Sequence, residues 1–146
     1  QLYDDPLFDP RTAPPERLEA LKVVESRCRP ERFARMALRT SLVDDMILRS
    51  AWLHRSMSPV QVVLLGAGLD MRAYRLNLAT GSRFFEVDLP PVMRYKETLV
   101  SHLPSPGCER RCISSDVRCG EWSSLLQAQG FESLSPSTWI LEGLCM

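Results

Sequence analysis

Apolar positions recur with two different spacings along the chain, and the alternation between them predicts an α/β fold. Short runs rich in β-branched or aromatic residues predict strands at 62–65, 83–88, 110–116 and 138–141. Apolar residues three and four positions apart predict helices between these strands, at 71–78, 90–103 and 122–130. Strands that alternate with helices form parallel sheets, so we expect one parallel sheet with its weakly apolar third strand toward the edge.

The residues before the first strand, 1–58, predict a helical cap. Four prolines among the first fifteen residues indicate an irregular lead-in, and a helical pattern follows over 15–28. A longer helical pattern spans 31–55, with a second start at Thr40 or Ser41. Such a start would place Asp44 and Asp45 in a first helical turn, where we expect them to interact with the helix dipole.

A glycine-rich turn follows the first predicted strand directly. Gly66 permits the positive φ of a tight turn, and Gly68 leaves clearance for a ligand to approach the backbone. Asp88 ends the second strand 20 positions beyond Gly68, and a spacing of about 20 is expected for a ribose-binding acid. Met71 stands where dinucleotide-binding loops have a third glycine, which favours S-adenosylmethionine over NAD. A glycine turn alone is a weak signal, because many bind nothing.

Composition argues against several classes of function. Eighteen basic residues balance eighteen acidic ones, so nothing indicates a nucleic-acid-binding surface or a polybasic membrane patch. No apolar run approaches the length of about 20 residues that spans a bilayer, and no signal segment opens the chain. Five cysteines without a Cys-x-x-Cys pair and two isolated histidines predict no metal site. Reduced thiols in a cytoplasmic protein are the expected state of these cysteines.

Three segments resemble the leucine carboxyl methyltransferase and polyketide O-methyltransferase family. They are Leu-Leu-Gly-Ala-Gly-Leu-Asp-Met-Arg-Ala-Tyr-Arg-Leu (64–76), Phe-Glu-Val-Asp-Leu-Pro (85–90) and Trp-Ile-Leu-Glu-Gly-Leu (139–144). The resemblance runs from about Tyr3 to the end, and Met71 departs from the small hydroxyl residue of many relatives. It implies a Rossmann-like methyltransferase fold with S-adenosyl-L-methionine as cofactor. It also implies that 59–146 form the N-terminal half of the cofactor-binding domain, because the family's sheet has more strands.

The resemblance further implies a set of cofactor-binding residues: Arg39, Gly66, Ala67, Gly68, Asp88, Asp116, Val117 and Glu142. Arg39 would bind the carboxylate of the methionine part, or would be a solvated helix residue. Asp116 would accept a hydrogen bond from the adenine amino group, with the backbone amide of Val117 beside the ring, or would cap the next helix. Glu142, at the end of the fourth strand, would border the methionine part.

Some further charged residues have roles that the pattern alone leaves open. Arg72 and Arg75 fall on neighbouring helical turns and either hold acidic groups such as Glu86 or face water. We expect Glu86 to be structural, and Lys96 to be solvated rather than to face the pocket.

These observations favour transfer of a methyl group from S-adenosylmethionine to an oxygen. The acceptor could be the carboxylate of a polyketide acid or of a protein C-terminus, or a small phenol, and the sequence leaves these open. No Ser-His-Asp or Cys-His set is visible, so no catalytic residue is named, and alignment of the reactants would supply most of the catalysis. A cofactor-binding module without activity and an NAD-dependent oxidoreductase are the alternatives. The fourth strand is apolar on both faces and only 142–146 follow it, so we expect self-association through an exposed sheet edge.

Overall fold

The computed structural model describes residues 30–56, 60–142 and 144. Its elements are the helices α1 (Pro30–Leu53), α2 (Arg72–Arg75), α3 (Pro90–Val100) and α4 (Glu121–Ala128), and the strands β1 (Gln61–Leu65), β2 (Arg83–Asp88), β3 (Glu109–Ser114) and β4 (Ser137–Leu141). The predicted lead-in over 1–15, the helix over 15–28 and the predicted boundary at residue 58 lie outside the described residues. The strands and helices predicted after residue 60 are all present, with ends shifted by a few residues.

The four strands form one sheet in the order β3-β2-β1-β4. Strand β1 lies at the centre and pairs in parallel with β2 on one side and with β4 on the other. Strand β3 pairs in parallel with β2 and lies at an edge, as its polar composition predicted. The α/β class and the parallel sheet are therefore confirmed, and the strand order is that of a Rossmann-like sheet.

Side chains from the two faces of the sheet form two separate cores, because successive residues of a strand point to opposite faces. On one face, Val62, Leu64 and Phe84 pack with Ile47 of α1 and Ala73 of α2. On the other face, the strand residues that pack against Leu126 of α4 are Val63, Leu65, Phe85, Val87 and Ile113. Both faces of β1 are thus covered, which explains why its sequence is a continuous apolar run rather than an alternating one.

Helix α1 is continuous from Pro30 to Leu53, so the predicted second start at Thr40 or Ser41 is wrong. Ile47 and Ala51 lie one turn apart on its inner face and are buried. Tertiary burial of such a face stabilises a helix more than the modest helix propensity of Thr or Ser disfavours it. Asp44 and Asp45 therefore lie in mid-helix, and the expectation that they act on a helix N-terminus is also wrong.

Strand β4 forms the second edge of the sheet, and no strand of the described residues pairs with its outer side. Trp139 is 41% exposed and Leu141 is 55% exposed on this strand. The indole ring of Trp139 packs edge-to-face against Phe131 and Trp122 on its covered side. An edge of this kind combines unpaired backbone groups with apolar side chains, which is the combination that favours pairing with another strand.

We predict that the isolated chain self-associates by pairing β4 of one copy with β4 of a second copy. The strand reads Ser137-Thr-Trp-Ile-Leu141 and carries no charge, so pairing would bring no like charges together. Sedimentation velocity should show a concentration-dependent dimer or larger species. Leu141→Lys should shift the distribution toward monomer, because a lysine on an edge strand opposes strand addition. A monodisperse monomer at all concentrations would contradict this prediction.

Candidate functional site

The glycine turn after β1 is held against the end of β2 by backbone hydrogen bonds. The amides of Gly66 and Ala67 both donate to the carbonyl of Val87, at 2.8 and 3.1 Å. Gly66 has φ +69° and Gly68 has φ +48°, and both values lie in the left-handed region that favours glycine. The turn therefore presents bare backbone at the carboxyl end of the sheet, where ligands of open α/β folds bind.

Asp88 closes this corner of the site. Its Oδ2 accepts a hydrogen bond from the amide of Gly68 at 2.6 Å, and its Oδ1 accepts one from the amide of Leu89 at 2.7 Å. Two residues that are 20 positions apart are thereby brought into direct contact. Each carboxylate oxygen has a second lone-pair direction, so Asp88 retains the capacity to accept hydrogen bonds from a ligand hydroxyl.

The two glycines differ in what surrounds them. A Cβ built on Gly66 would come within 2.6 Å of the Leu144 side chain, whereas a Cβ on Gly68 would meet nothing within 4 Å. The sequence predicted that Gly66 is needed for its backbone conformation and that Gly68 is needed for ligand clearance. The structure gives both residues a positive φ and adds a close neighbour at Gly66, while open space lies over Gly68.

Asp116 and Val117 lie beside the same end of the sheet. The amide of Ser115 donates to the carbonyl of Asp88 at 2.9 Å, which brings the segment after β3 next to β2. The Asp116 carboxylate is bound by the guanidinium of Arg118, with Nη2 at 2.6 Å from Oδ2. It also accepts from the amide of Arg118 at 2.9 Å. Hydrogen bonds from the Arg118 side chain and backbone lower the pKa of Asp116 to about 2, so in this state the carboxylate stabilises its own turn. Val117 packs into the core on the α4 side.

Arg39 and Glu142 meet at the other end of the site. Arg39 extends from α1, and its Nε lies 3.1 Å from Oε1 of Glu142 just beyond β4. The Arg39 side chain is 63% exposed and that of Glu142 is 24% exposed. An ion pair this accessible contributes little to stability, about 0–1 kcal/mol. It does, however, present a cation and an anion side by side at the edge of a surface that a ligand can reach.

Arg72 connects this pair to the glycine turn. Its Nη1 donates to Oε2 of Glu142 at 2.6 Å and to Oδ2 of Asp70 at 2.5 Å. Its Nε donates to Oδ1 of Asp44 at 2.7 Å. Arg75, one turn further along, also binds Asp44, at 2.5 and 3.0 Å. Of the two predicted alternatives, the one in which Arg72 and Arg75 hold acidic groups is therefore confirmed, but the acids are Asp44, Asp70 and Glu142 and not Glu86.

Burial and charge pairing act in opposite directions on the pKa values of Asp70 and Arg72. Removal of Asp70 from water raises the pKa of its carboxyl, and the neighbouring Arg72 guanidinium opposes that rise. Burial alone would lower the pKa of Arg72, but the charge of Asp70 and the hydrogen bonds to Asp44 and Glu142 raise it. Arg72 is therefore a permanent cation, and the acids around it are held by a charge that does not titrate.

A second set of buried charges supports the turn from beneath. Lys96 of α3 lies 2.8 Å from Oε2 of Glu86, and both side chains are fully buried. Arg110 binds the same oxygen at 2.8 Å, and Lys96 also donates to the backbone carbonyl of Asp70. The expectation of a solvated Lys96 is wrong, because a buried carboxylate on β2 requires a buried cation as its partner.

No group of His, Cys, Asp and Glu within residues 30–56, 60–142 and 144 is arranged to hold a metal ion. None of the helices in the described part of the chain combines the length and the apolar character that crossing a bilayer needs.

Comparison with known proteins gives a family match and close relatives. The family model described as leucine carboxyl methyltransferase matches residues 6–146. A Streptomyces coelicolor protein is 44% identical over 115 residues, which cover 77% of this chain and 37% of that protein. A Mycolicibacterium smegmatis protein is 45% identical over 107 residues, covering 73% of this chain and 34% of that protein. Both are provisionally named S-adenosyl-L-methionine-dependent methyltransferases. The chain spans about a third of their length.

We predict that hydrogen bonding to Arg118 lowers the pKa of the Asp116 carboxyl in solution. Its carboxyl carbon, followed by NMR, should show a pKa of about 2, against an ordinary value of 3.8. Arg118→Ala should return the pKa toward the ordinary value. Because the folded-state pKa is lowered, the stabilisation from this carboxylate is present above 3.8 and is lost as the pH falls toward about 2. An ordinary pKa in the unsubstituted chain would show that the pair does not persist in solution.

Proposed function

Because the chain belongs to the leucine carboxyl methyltransferase family, we propose that the protein is an S-adenosylmethionine-dependent methyltransferase and that this chain supplies its cofactor-binding part. The observation that carries the proposal is the contact of Gly68 with Asp88, which places a carboxylate beside an open glycine turn. The names of the Streptomyces coelicolor and Mycolicibacterium smegmatis relatives support the choice of cofactor.

The nucleoside end of the cofactor would lie over the glycine turn. Asp88 offers two carboxylate oxygens at the end of β2, a suitable acceptor for the two vicinal hydroxyls of a ribose. A Cβ built on Gly68 has no atom within 4 Å, so a ligand has room to approach the backbone there. Asp116 and the amide of Val117 would lie toward the adenine, on the side of β2 where β3 ends. To bind the adenine amino group, the Asp116 carboxylate would have to share its oxygens with Arg118.

The methionine end would lie toward Arg39 and Glu142. The α-amino acid part of the cofactor is a zwitterion, with one carboxylate and one ammonium close together. Arg39 and Glu142 provide the complementary cation and anion, 3.1 Å apart. Arg39 uses its Nε for Glu142, and the two Nη groups of a guanidinium form the side of the fork suited to a carboxylate.

When bound, S-adenosylmethionine supplies an electrophilic methyl group on a sulfonium. We propose that the acceptor is an oxygen, and specifically a carboxylate, of a small molecule or of a protein C-terminus. A carboxyl group with a pKa of about 4 is already ionised at neutral pH, whereas a phenol with a pKa of about 10 needs a base. The residues of this chain would bind and orient the cofactor, since none of the described side chains near the turn is arranged as a nucleophile and base.

Met71 favours this proposal over NAD-dependent hydride transfer. Its side chain is 1% exposed and packs with Val100, Tyr74 and Leu99 between α2 and α3. In dinucleotide-binding loops a glycine near this point allows helix and strand to pack closely around a pyrophosphate.

We predict that Gly68→Ala abolishes binding of S-adenosylhomocysteine while Gly81→Ala does not. Gly81 is a matched control, because it also has a positive φ, +86°, and nothing within 4 Å of a built Cβ. Alanine in the left-handed region should cost about 1–2 kcal/mol of stability in either variant. Only at Gly68 should the added methyl group also obstruct a ligand. Isothermal titration calorimetry at a temperature where both variants are folded measures the difference, and equal affinities would mean that the loop is only a turn.

We predict that methyl transfer, where it occurs, produces a base-labile ester. The protein would be incubated with methyl-labelled S-adenosylmethionine and with candidate carboxylic acids, peptides ending in a free carboxylate, and phenols. Alkali hydrolyses a methyl ester and releases labelled methanol, whereas a phenol ether keeps its label. Label that survives alkali would contradict the carboxylate assignment. Binding of S-adenosylhomocysteine without transfer to any acceptor would favour the module without activity, and binding of NAD instead would favour the oxidoreductase.

A further inference from the structure

One buried guanidinium joins three segments of the chain that are far apart in sequence. Arg72 is 3% exposed, and it binds Asp44 of α1, Asp70 of the glycine turn and Glu142 beyond β4, at 2.5–2.7 Å. The separations are 28, 2 and 70 positions respectively. No other guanidinium in the described part of the chain contacts acids from three segments, and the neighbouring Arg75 contacts Asp44 alone.

The acidic partners of Arg72 include two residues that belong to the candidate site or border it, Asp70 and Glu142. Asp70 accepts from the backbone amide of Arg72 through Oδ1 and from its guanidinium through Oδ2, so it ties the end of the glycine turn to α2. Glu142 gives Oε2 to Arg72 and Oε1 to Arg39. Arg39 is mostly exposed. By itself it would sample many rotamers, since fixing a long charged side chain in one rotamer costs considerable conformational entropy. Arg72 is the buried anchor at the far side of Glu142.

We propose that Arg72 is a positioning residue for the cofactor. It orients Glu142, and through Glu142 the exposed Arg39, while it holds the glycine turn through Asp70. The inference rests on the proposed function, since it concerns how the same site is held. Arginine suits this role because its planar fork presents five N–H donors in fixed directions, whereas lysine presents a single ammonium.

The test compares Arg72→Met with Arg75→Met in binding of S-adenosylhomocysteine. Arg75 is the matched control because it lies on the same short helix and shares Asp44 as its partner, but contacts neither Asp70 nor Glu142. Circular dichroism and urea unfolding establish that each variant is folded under the conditions of the calorimetry. We expect Arg72→Met to lower the affinity by about tenfold or more, the size expected from losing a charged hydrogen bond. Arg75→Met should change the affinity by less than about twofold.

A structural role alone would have a different signature. It would lower the urea midpoint in proportion to the lost contacts and leave the affinity of the folded molecules unchanged in both variants. That result, with normal binding by the unsubstituted chain, would overturn the inference and leave the proposed function standing. Failure of the unsubstituted chain to bind S-adenosylhomocysteine would overturn both.

Arg72→Lys keeps the test decisive if Arg72→Met does not fold. Lysine retains the charge that balances the acids but can satisfy only part of their hydrogen bonding, so we expect Arg72→Lys to bind S-adenosylhomocysteine more weakly than the unsubstituted chain does. The Arg72→Lys and Glu142→Gln changes then form a double-mutant cycle. If Arg72 acts through Glu142, the double variant should bind no more weakly than the weaker single variant. Fold-changes that simply multiply would show that Arg72 does not act through Glu142, and would overturn the proposed orientation of Glu142 and Arg39.

Discussion

Parallel pairing of β1 with both of its neighbours constrains most of this structure. β1 is paired on both edges and covered on both faces, so its five residues are all buried. Parallel strands end at the same side of a sheet, and the connections that follow β1, β2 and β4 therefore meet there. This arrangement brings Gly68 to Asp88 and places Glu142 near Arg39. The candidate site is thus a consequence of strand order rather than of any local segment.

The second constraint is that each buried charge must be paired with an opposite charge. Arg72 on one side of the turn and Lys96 beneath it are both almost completely removed from water. Arg72 is compensated by three carboxylates and Lys96 by that of Glu86, because an unpaired buried charge costs several kcal/mol. Replacement of such pairs by apolar residues is often neutral or stabilising in proteins. Their presence here is therefore better explained by the orientation that they impose on the turn and on Glu142 than by any stability that they add.

The exposed and the buried ion pairs consequently differ in how easily they can rearrange. Arg39 with Glu142 is accessible and weak, so Arg39 can adjust its position to a ligand at small cost. Arg72 with Asp44 and Glu142 is buried and hydrogen-bonded in several directions, so it resists rearrangement. A site that combines a rigid inner anchor with an adaptable outer cation is suited to a charged ligand that must enter and leave.

The sequence by itself determined the fold class, the strand positions after residue 60, the glycine turn and the spacing of Asp88 from Gly68. These features are readable because hydrophobic periodicity and glycine turns are local properties of the chain. Only the tertiary structure decided that α1 is one helix, that Asp44 is bound by Arg72 and Arg75, and that Lys96 is buried against Glu86. Pairing between charges that are 28 or 70 positions apart produces no periodic pattern in the sequence. Because lysine, arginine and acidic residues are mostly exposed in proteins, the sequence predicts a solvated side chain even where the tertiary structure buries one.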